Sequence, residues 1–231
     1  MSAASAHLKA KEGIAPDFRH VRTWIFDLDH TLYRMEPATM REVEERICRF
    51  VQRHLGLPRD EAYAIQKKYL REYGITLAGM MKHHGVDPDA YHAEINDIEA
   101  LALAPDASLR RGLERLPGTR FVFTNNCGRF AREVTTRLGL DDLFEDMLDI
   151  RALDFVPKPD AAAYRVMLAR ASCPPEQIAL FDDRACNLPP AHVLGMTTVW
   201  LHHGIATPEE RACIHHETDD LPEFLNAIRV H

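Results

Sequence analysis

Residues 23–33 read TWIFDLDHTLY. Trp24, Ile25 and Phe26 form a short apolar run of the kind a strand buried on both faces requires. Asp27 and Asp29 follow at once, separated only by Leu28. Two carboxylates at the end of a core strand repel each other and resist desolvation, so a chain that keeps them there has a use for their charge.

Working outward, the runs RFVFTNN (120–126), QIALFDD (177–183) and TTVWL (197–201) share this form, and DMLDI (146–150) is a weaker version of it. They are continuous rather than alternating, as strands of a parallel sheet are when helices cover both faces. Helical patterns lie between them. Leu109, Leu113 and Leu116 repeat by four and three, and Phe130, Val134 and Leu138 by four, with Gly139 placed to end that helix. Asp160 stands as N-cap before AAAYRVMLARA, which puts Tyr164, Met167 and Leu168 on one face. This alternation predicts an α/β fold with a doubly wound, Rossmann-like parallel sheet over residues 21–35 and 104–231.

Residues 36–103 break the alternation. Met40, Val43, Ile47, Phe50 and Leu55 mark one amphipathic helix, Ile65 and Tyr69 a second, Leu77 and Met81 a third. Asp87 and Pro88 have the form of an N-cap and first position of a fourth. An all-helical segment of this length directly after the first strand is expected to be a cap inserted into the core. Residues 1–20 have no apolar core of a signal peptide and are expected to be a mobile leader.

The chain of 231 residues carries a net charge of −7, and no basic patch points to nucleic acid. No apolar run approaches the length of a membrane span. Five cysteines without a C-x-x-C pair suggest reduced thiols and a cytoplasmic location.

In parallel α/β sheets ligands bind beyond the carboxyl ends of the strands. There the sequence places Asp27 and Asp29, then Thr124, Asn125 and Asn126, then Asp182 and Asp183, with Lys158 in the VPKPD loop before the Asp160 helix. One lysine does not neutralise four carboxylates, so such a site calls for a divalent cation. Hard oxygen donors without a His or Cys pattern favour Mg²⁺. Helix caps or loop solvation would explain any one of these pairs, but not the whole set at strand ends.

Together, DLDHT, FTN, KP and FDDRACN resemble, in order, the four signature motifs of the haloacid dehalogenase superfamily. The helical segment resembles the cap of many members. The stretch DLDHTLY, the segment from LGLPRDEAYAIQ to HHGVDP, and GMTTVW are similar to bacterial pyrimidine 5′-nucleotidase-like phosphatases. The resemblance implies a Mg²⁺-dependent phosphomonoesterase in which Asp27 is the nucleophile and forms an aspartyl-phosphate. Asp29 is then the general acid and base, a residue that members working as dehalogenases lack. Thr124 and Asn125 would bind phosphate oxygens, and Lys158 would balance the nucleophile and stabilise the transition state. Asp183, an Asp27 oxygen and the Asp29 carbonyl would hold the metal, with Asp182 binding it directly or through water and Asn187 orienting the cluster. The expected partner is a small phosphate ester, first a nucleoside monophosphate such as UMP or CMP. A sugar-phosphate or phosphoglycolate phosphatase is the alternative, and a non-catalytic binding protein of the same fold the third. The chain is expected to be a monomer or homodimer.

Three positions depart from these relatives: His30 where Asn is common, Asn126 where Gly or Ala is, and Arg184 where Ser is. Arg184 is expected to point to solvent. The His-His pairs at 83–84, 202–203 and 215–216 are expected on the surface or in packing, since adjacent residues diverge on a helix or strand. Cys127 has no evident base partner, Met80 and Met81 belong to the cap core, and Tyr33 is expected to pack at the hinge between core and cap.

Overall fold

The computed structural model describes residues 15–96, 99–202 and 204–231. Strand β1 (Thr23–Phe26) leads into helices α1 (Pro37–Leu55), α2 (Arg59–Tyr73), α3 (Thr76–His84) and α4 (Pro88–Ile95). Alternation then begins with α5 (Ala107–Glu114), β2 (Thr119–Phe123), α6 (Gly128–Arg137), β3 (Asp146–Leu148) and α7 (Ala161–Ala171). It continues through β4 (Ile178–Asp182), α8 (Leu188–Val193), β5 (Thr197–Leu201), α9 (Pro208–Arg211), β6 (His216–Thr218) and α10 (Leu221–Ala227). The sheet is parallel, in the order β3-β2-β1-β4-β5-β6. The chain order reverses at the β1/β4 junction, where an open α/β sheet forms its ligand crevice.

Alternate strand residues supply two cores. Trp24, Phe26, Val122, Phe181 and Val199 face one side, joined by Leu109, Leu113 and Val134 from α5 and α6. Ile25, Phe123, Leu180 and Trp200 face the other, against Tyr164 and Met167 of α7. Phe26 pairs with both Val122 and Phe181, and its ring stacks on that of Phe181 at 4.7 Å. The three central strands therefore end nearly level. Gly118 sets the approach to β2: its φ is +83°, and a Cβ there would lie 2.0 Å from the Arg22 carbonyl oxygen.

Helices α1–α4 bury a cluster of their own around Val51, Leu77, Met80 and Tyr91. The caps at Asp87, Asp106 and Asp160 accept backbone N–H groups as helix N-termini require, and Gly139 follows α6 at φ +69°. Met40, expected on the apolar face of α1, is 43% exposed. No helix among the described residues is long and apolar enough to cross a membrane.

Two expectations are corrected. Strand β6 was not anticipated, because His-Glu-Thr has no apolar run; it joins the sheet edge through backbone pairing with β5. The leader expected over residues 1–20 falls at 1–14 outside the described residues, and from Pro16 the chain is docked. Phe18 is fully buried, its N–H donates to the Arg229 carbonyl at 2.8 Å, and Arg229 N–H returns a bond to Pro16 at 2.9 Å.

His30 adopts the left-handed conformation, φ +59°. Asn, Asp and His enter that region more readily than other side-chain-bearing residues, so His and Asn both suit this position. We expect His30→Asn to melt with the wild type. His30→Val, β-branched at positive φ, should lose about 1–3 kcal/mol and several degrees of melting temperature in calorimetry.

Candidate active site

Because the central strands end together, Asp27, Thr124, Asp182 and Asp183 emerge at one edge of the sheet. Lys158 reaches them from the loop before α7 and is 1% exposed. Its ammonium donates to Asp27 Oδ1 at 2.8 Å, Asp182 Oδ2 at 2.7 Å and the Phe123 carbonyl at 2.7 Å. Three donors thus meet three acceptors, the condition for burying an ammonium group. Burial alone would lower the Lys158 pKa, but the charges of Asp182 and Asp27 outweigh it and hold the group above its ordinary value.

Asp182 is fully buried and its oxygens are already engaged. Beyond Lys158, it accepts from Asn187 Nδ2 at 2.9 and 3.0 Å and from the Arg184 N–H at 2.9 Å. Asn187 is itself fixed by the Tyr164 hydroxyl, which donates to its carbonyl. Asp183 differs: among the described residues no hydrogen bond to its carboxylate is formed, and its carbonyl accepts from Trp200 Nε1 at 2.8 Å. One carboxylate oxygen each from Asp27, Asp182 and Asp183 lies within 4.8 Å of the others. Burial, then the charges of Asp182 and Asp27, pushes the Asp183 pKa up to about 8. Burial likewise pushes Asp27 up to about 7, although Lys158 opposes the shift. Three hard oxygen donors this close together, where the Asp182 charge raises the pKa of both Asp27 and Asp183, form a donor set with the charge and hardness to bind Mg²⁺.

Thr124 is 1% exposed, and its Oγ1 accepts from the Asn126 N–H at 3.0 Å, which leaves its own O–H free to donate toward the crevice. Asn125 was expected to meet phosphate. Its carboxamide brackets the Lys158 backbone, accepting from Lys158 N at 2.8 Å and donating to Lys158 O at 3.1 Å, and the residue also lines the crevice. That pairing fixes the lysine's loop to the end of β2.

Asp29 stands on the opposite flank. The Tyr33 hydroxyl donates to its Oδ1, and Asn126 Nδ2 lies 3.4 Å from its Oδ2. Burial, then the Asp29 charge, holds the Tyr33 phenol well above its ordinary value, so it stays a donor. Tyr33 does pack, at 7% exposure, but its contact with Asp29 was missed. The four-residue spacing and the tight DHTLY turn were the only signals for it.

Asp27, Asp29 and Asp183 open onto a cavity of about 310 Å³ between the sheet edge and the helical segment. Ile47, Leu70 and Leu77 contribute apolar wall there and Gln66 a polar one. A larger depression of about 530 Å³ beside Arg34 and Asp219 reaches none of the four aspartates of the site. Arg184 is exposed on the cavity rim, as expected. His83 and His84 pair with the hydroxyls of Tyr73 and Tyr69, and His215 Nδ1 accepts from the Thr198 N–H. His203 lies outside the described residues.

Solved structures share this architecture. A HAD phosphatase from Thermococcus onnurineus matches with a TM-score of 0.60 at 18% identity, over 91% of this chain and 100% of that one. A predicted phosphoglycolate phosphatase from Haemophilus somnus matches at 0.61 and 20%, over 90% and 97%. The 2-haloacid dehalogenase of Pseudomonas syringae matches at 0.54 and 24%, over 89% and 98%. In sequence, Phosphate metabolism protein 8 of Saccharomyces cerevisiae is 27% identical over 191 residues, 76% of this chain. The matched region spans 60% of that relative's length. The family model described as haloacid dehalogenase-like hydrolase matches residues 21–195, a stretch that contains every site aspartate, Lys158 and the whole helical segment. With its sheet order and strand-end residues in agreement, the chain belongs to the haloacid dehalogenase-like hydrolases.

Proposed function

We propose that this protein hydrolyses phosphomonoesters through an aspartyl-phosphate on Asp27, with pyrimidine 5′-nucleotides such as UMP and CMP as substrates. The observation that carries the chemistry is the pair at the end of β1. Asp27 is held by buried Lys158, while Asp29, two residues on, is held apart by Tyr33 and Asn126. An Asp27 oxygen attacks phosphorus as the bond to the leaving oxygen breaks, and Asp29 gives that oxygen its proton. Water then attacks the phosphorus, Asp29 takes its proton, and the bond between phosphorus and the Asp27 oxygen breaks to free inorganic phosphate. Thr124 and Lys158 donate to the phosphoryl oxygens. Asn125 keeps Lys158 in place, and so does Asp182, whose engaged oxygens suit positioning more than direct ligation.

Asp27, Asp183 and the Asp29 carbonyl would hold Mg²⁺, with Asp182 and Asn187 behind them. Bound there, the ion offsets the carboxylate charge and stabilises charge on the transferring phosphoryl group. The helical segment closes over the crevice as a cap and excludes water. Support for a nucleotide comes from the cavity wall. The apolar side chains of Ile47, Leu70 and Leu77 suit the face of a flat base.

Phosphate release should be measured over nucleotides, sugar phosphates and phosphoglycolate, with Mg²⁺ and with EDTA. We expect UMP and CMP to rank first and EDTA to abolish release. Sugar phosphates ranking first would replace the substrate while leaving the chemistry; no release from any ester would favour a binding protein.

The same carboxylates make metal-free stability depend on pH. Asp27 and Asp183 keep protons in the fold up to about 7 and 8, whereas unfolded aspartates ionise near 4. The native state therefore binds more protons than the unfolded one across that window. Its extra stability is complete below the window and is lost as pH rises through 7 and 8. We expect the metal-free protein to lose on the order of 3 kcal/mol between pH 6 and 8. Mg²⁺ should raise the melting temperature more at pH 8 than at pH 6, because protons compete for its ligands.

A further inference from the structure

Both ends of the helical segment converge on one carboxylate. At the N-terminal end, left-handed His30 reverses the chain: the Thr31 and Leu32 N–H groups return to the Leu28 carbonyl, and Asp29 and Tyr33 form a backbone bridge. The reversal brings the Tyr33 hydroxyl onto Asp29 Oδ1, its one hydrogen-bond partner among the described residues. At the C-terminal end, Asn96 closes α4 and its Nδ2 donates to Asn126 Oδ1 at 3.0 Å. That same oxygen accepts from the Cys127 N–H at 2.9 Å. Two donors on Oδ1 fix which way the Asn126 carboxamide faces, so its Nδ2 is the end turned to Asp29 Oδ2, at 3.4 Å. The carboxylate is thus held at one oxygen by the first residues after β1 and at the other by a core asparagine that the helical segment itself grips.

Resting on the phosphatase reading above, we propose that Tyr33 and Asn126 are positioning residues for Asp29, and that Asn96 makes the hold of Asn126 depend on a seated cap. A carboxylate able to turn about its side-chain bonds spends little time aimed at the leaving oxygen. Two donors from opposite flanks restrict that rotation before substrate arrives. The arrangement also gives Asn126, one of the departures from related sequences, a use that Gly or Ala could not serve.

The test is how activity depends on the leaving group. p-Nitrophenolate departs without a proton, whereas the ribose alkoxide of UMP needs one from Asp29. The value of kcat/KM reports the steps through phosphoryl transfer to Asp27, so a misaimed Asp29 should affect the two substrates differently. For Tyr33→Phe, which keeps the buried ring, we expect kcat/KM for UMP to fall about 10-fold or more while that for p-nitrophenyl phosphate changes less than about 3-fold. Stopped-flow of the same variant on p-nitrophenyl phosphate should show a burst of nitrophenolate, because water attack on the aspartyl-phosphate still needs Asp29 as base. Asn126→Ala should behave alike, and Asn96→Ala should shift the ratio of the two substrates in the same direction by a smaller factor. If Tyr33→Phe and Asn126→Ala lower both substrates equally, or neither, while the wild type is active, the positioning role is wrong and the phosphatase reading stands. If another alkyl phosphate ranks first, it takes the place of UMP in this comparison; a wild type that releases phosphate from no ester overturns the phosphatase reading, and the positioning role with it.

Discussion

Asp27→Asn should abolish phosphate release, with a fall of roughly 10⁴-fold or more, and leave the fold intact. The two outcomes have separate causes. A carboxamide is not a nucleophile toward phosphorus, so no aspartyl-phosphate forms and the route is lost, not slowed. The fold survives because Asn is isosteric and its Oδ1 can still accept from Lys158. Lys158 also keeps Asp182 and the Phe123 carbonyl. Burial raises the Asp27 pKa to about 7, so the ionised side chain is a burden on the metal-free fold above that pH. The neutral variant should therefore melt at or above the wild-type temperature at pH 8 without Mg²⁺. Mass spectrometry of protein quenched during turnover should find a phosphoryl adduct on the wild type and none on the variant. Turnover of Asp27→Asn near the wild-type rate would sink the covalent route and leave Asp27 as a metal ligand only.

The sequence announced the parts of this site that lie where apolar runs stop. Asp27, Thr124 and Asp182–Asp183 each follow or end a strand whose burial its own residues dictate, and a level parallel sheet carries them to one edge. Lys158 was legible by its place before the Asp160 cap. The helical segment was legible too, since four amphipathic patterns without a strand have few other packings. Contacts chosen by polar side chains across long stretches of chain were not legible. The Asn126–Asp29 contact joins residues 97 apart, and the Asn125–Lys158 pairing joins residues 33 apart. Neither leaves a periodicity, because a carboxamide can bond in many directions and only the packed backbone selects one. Strand β6 escaped for a related reason: an edge strand of three residues is held by main-chain pairing, to which side-chain hydropathy is blind. His30 looked like a departure near the chemistry, and its φ shows a backbone requirement that Asn would meet equally well.

Lys158→Met should cost both stability and activity, and a second substitution should separate the two losses. Met fills the lysine's stem but provides no donor. Removing the ammonium leaves Asp27 Oδ1, Asp182 Oδ2 and the Phe123 carbonyl buried with one fewer partner each, and leaves two carboxylates with no cation between them. Breaking one side of a buried ion pair costs about 3–5 kcal/mol, far more than the intact pair is worth against a well-packed apolar replacement. At this chain length that is on the order of 10 °C in melting temperature. Activity should fall roughly 10³-fold or more, as the nucleophile loses its counter-charge and the phosphoryl oxygens lose a donor. Lys158→Arg should not rescue it: three acceptors converge on one nitrogen, and a planar guanidinium cannot present its donors to a single point. Adding Asp182→Asn to Lys158→Met removes one uncompensated charge, and its carboxamide can still accept from the Arg184 N–H. The double variant should recover part of the lost stability, so that the double-mutant cycle shows a coupling of about 1–3 kcal/mol between the two positions. It should recover no activity. Stability that returns without turnover assigns the Lys158–Asp182 pair to holding the buried charge and the Lys158–Asp27 pair to the reaction. If turnover returned with stability, the lysine would be a structural counter-ion alone.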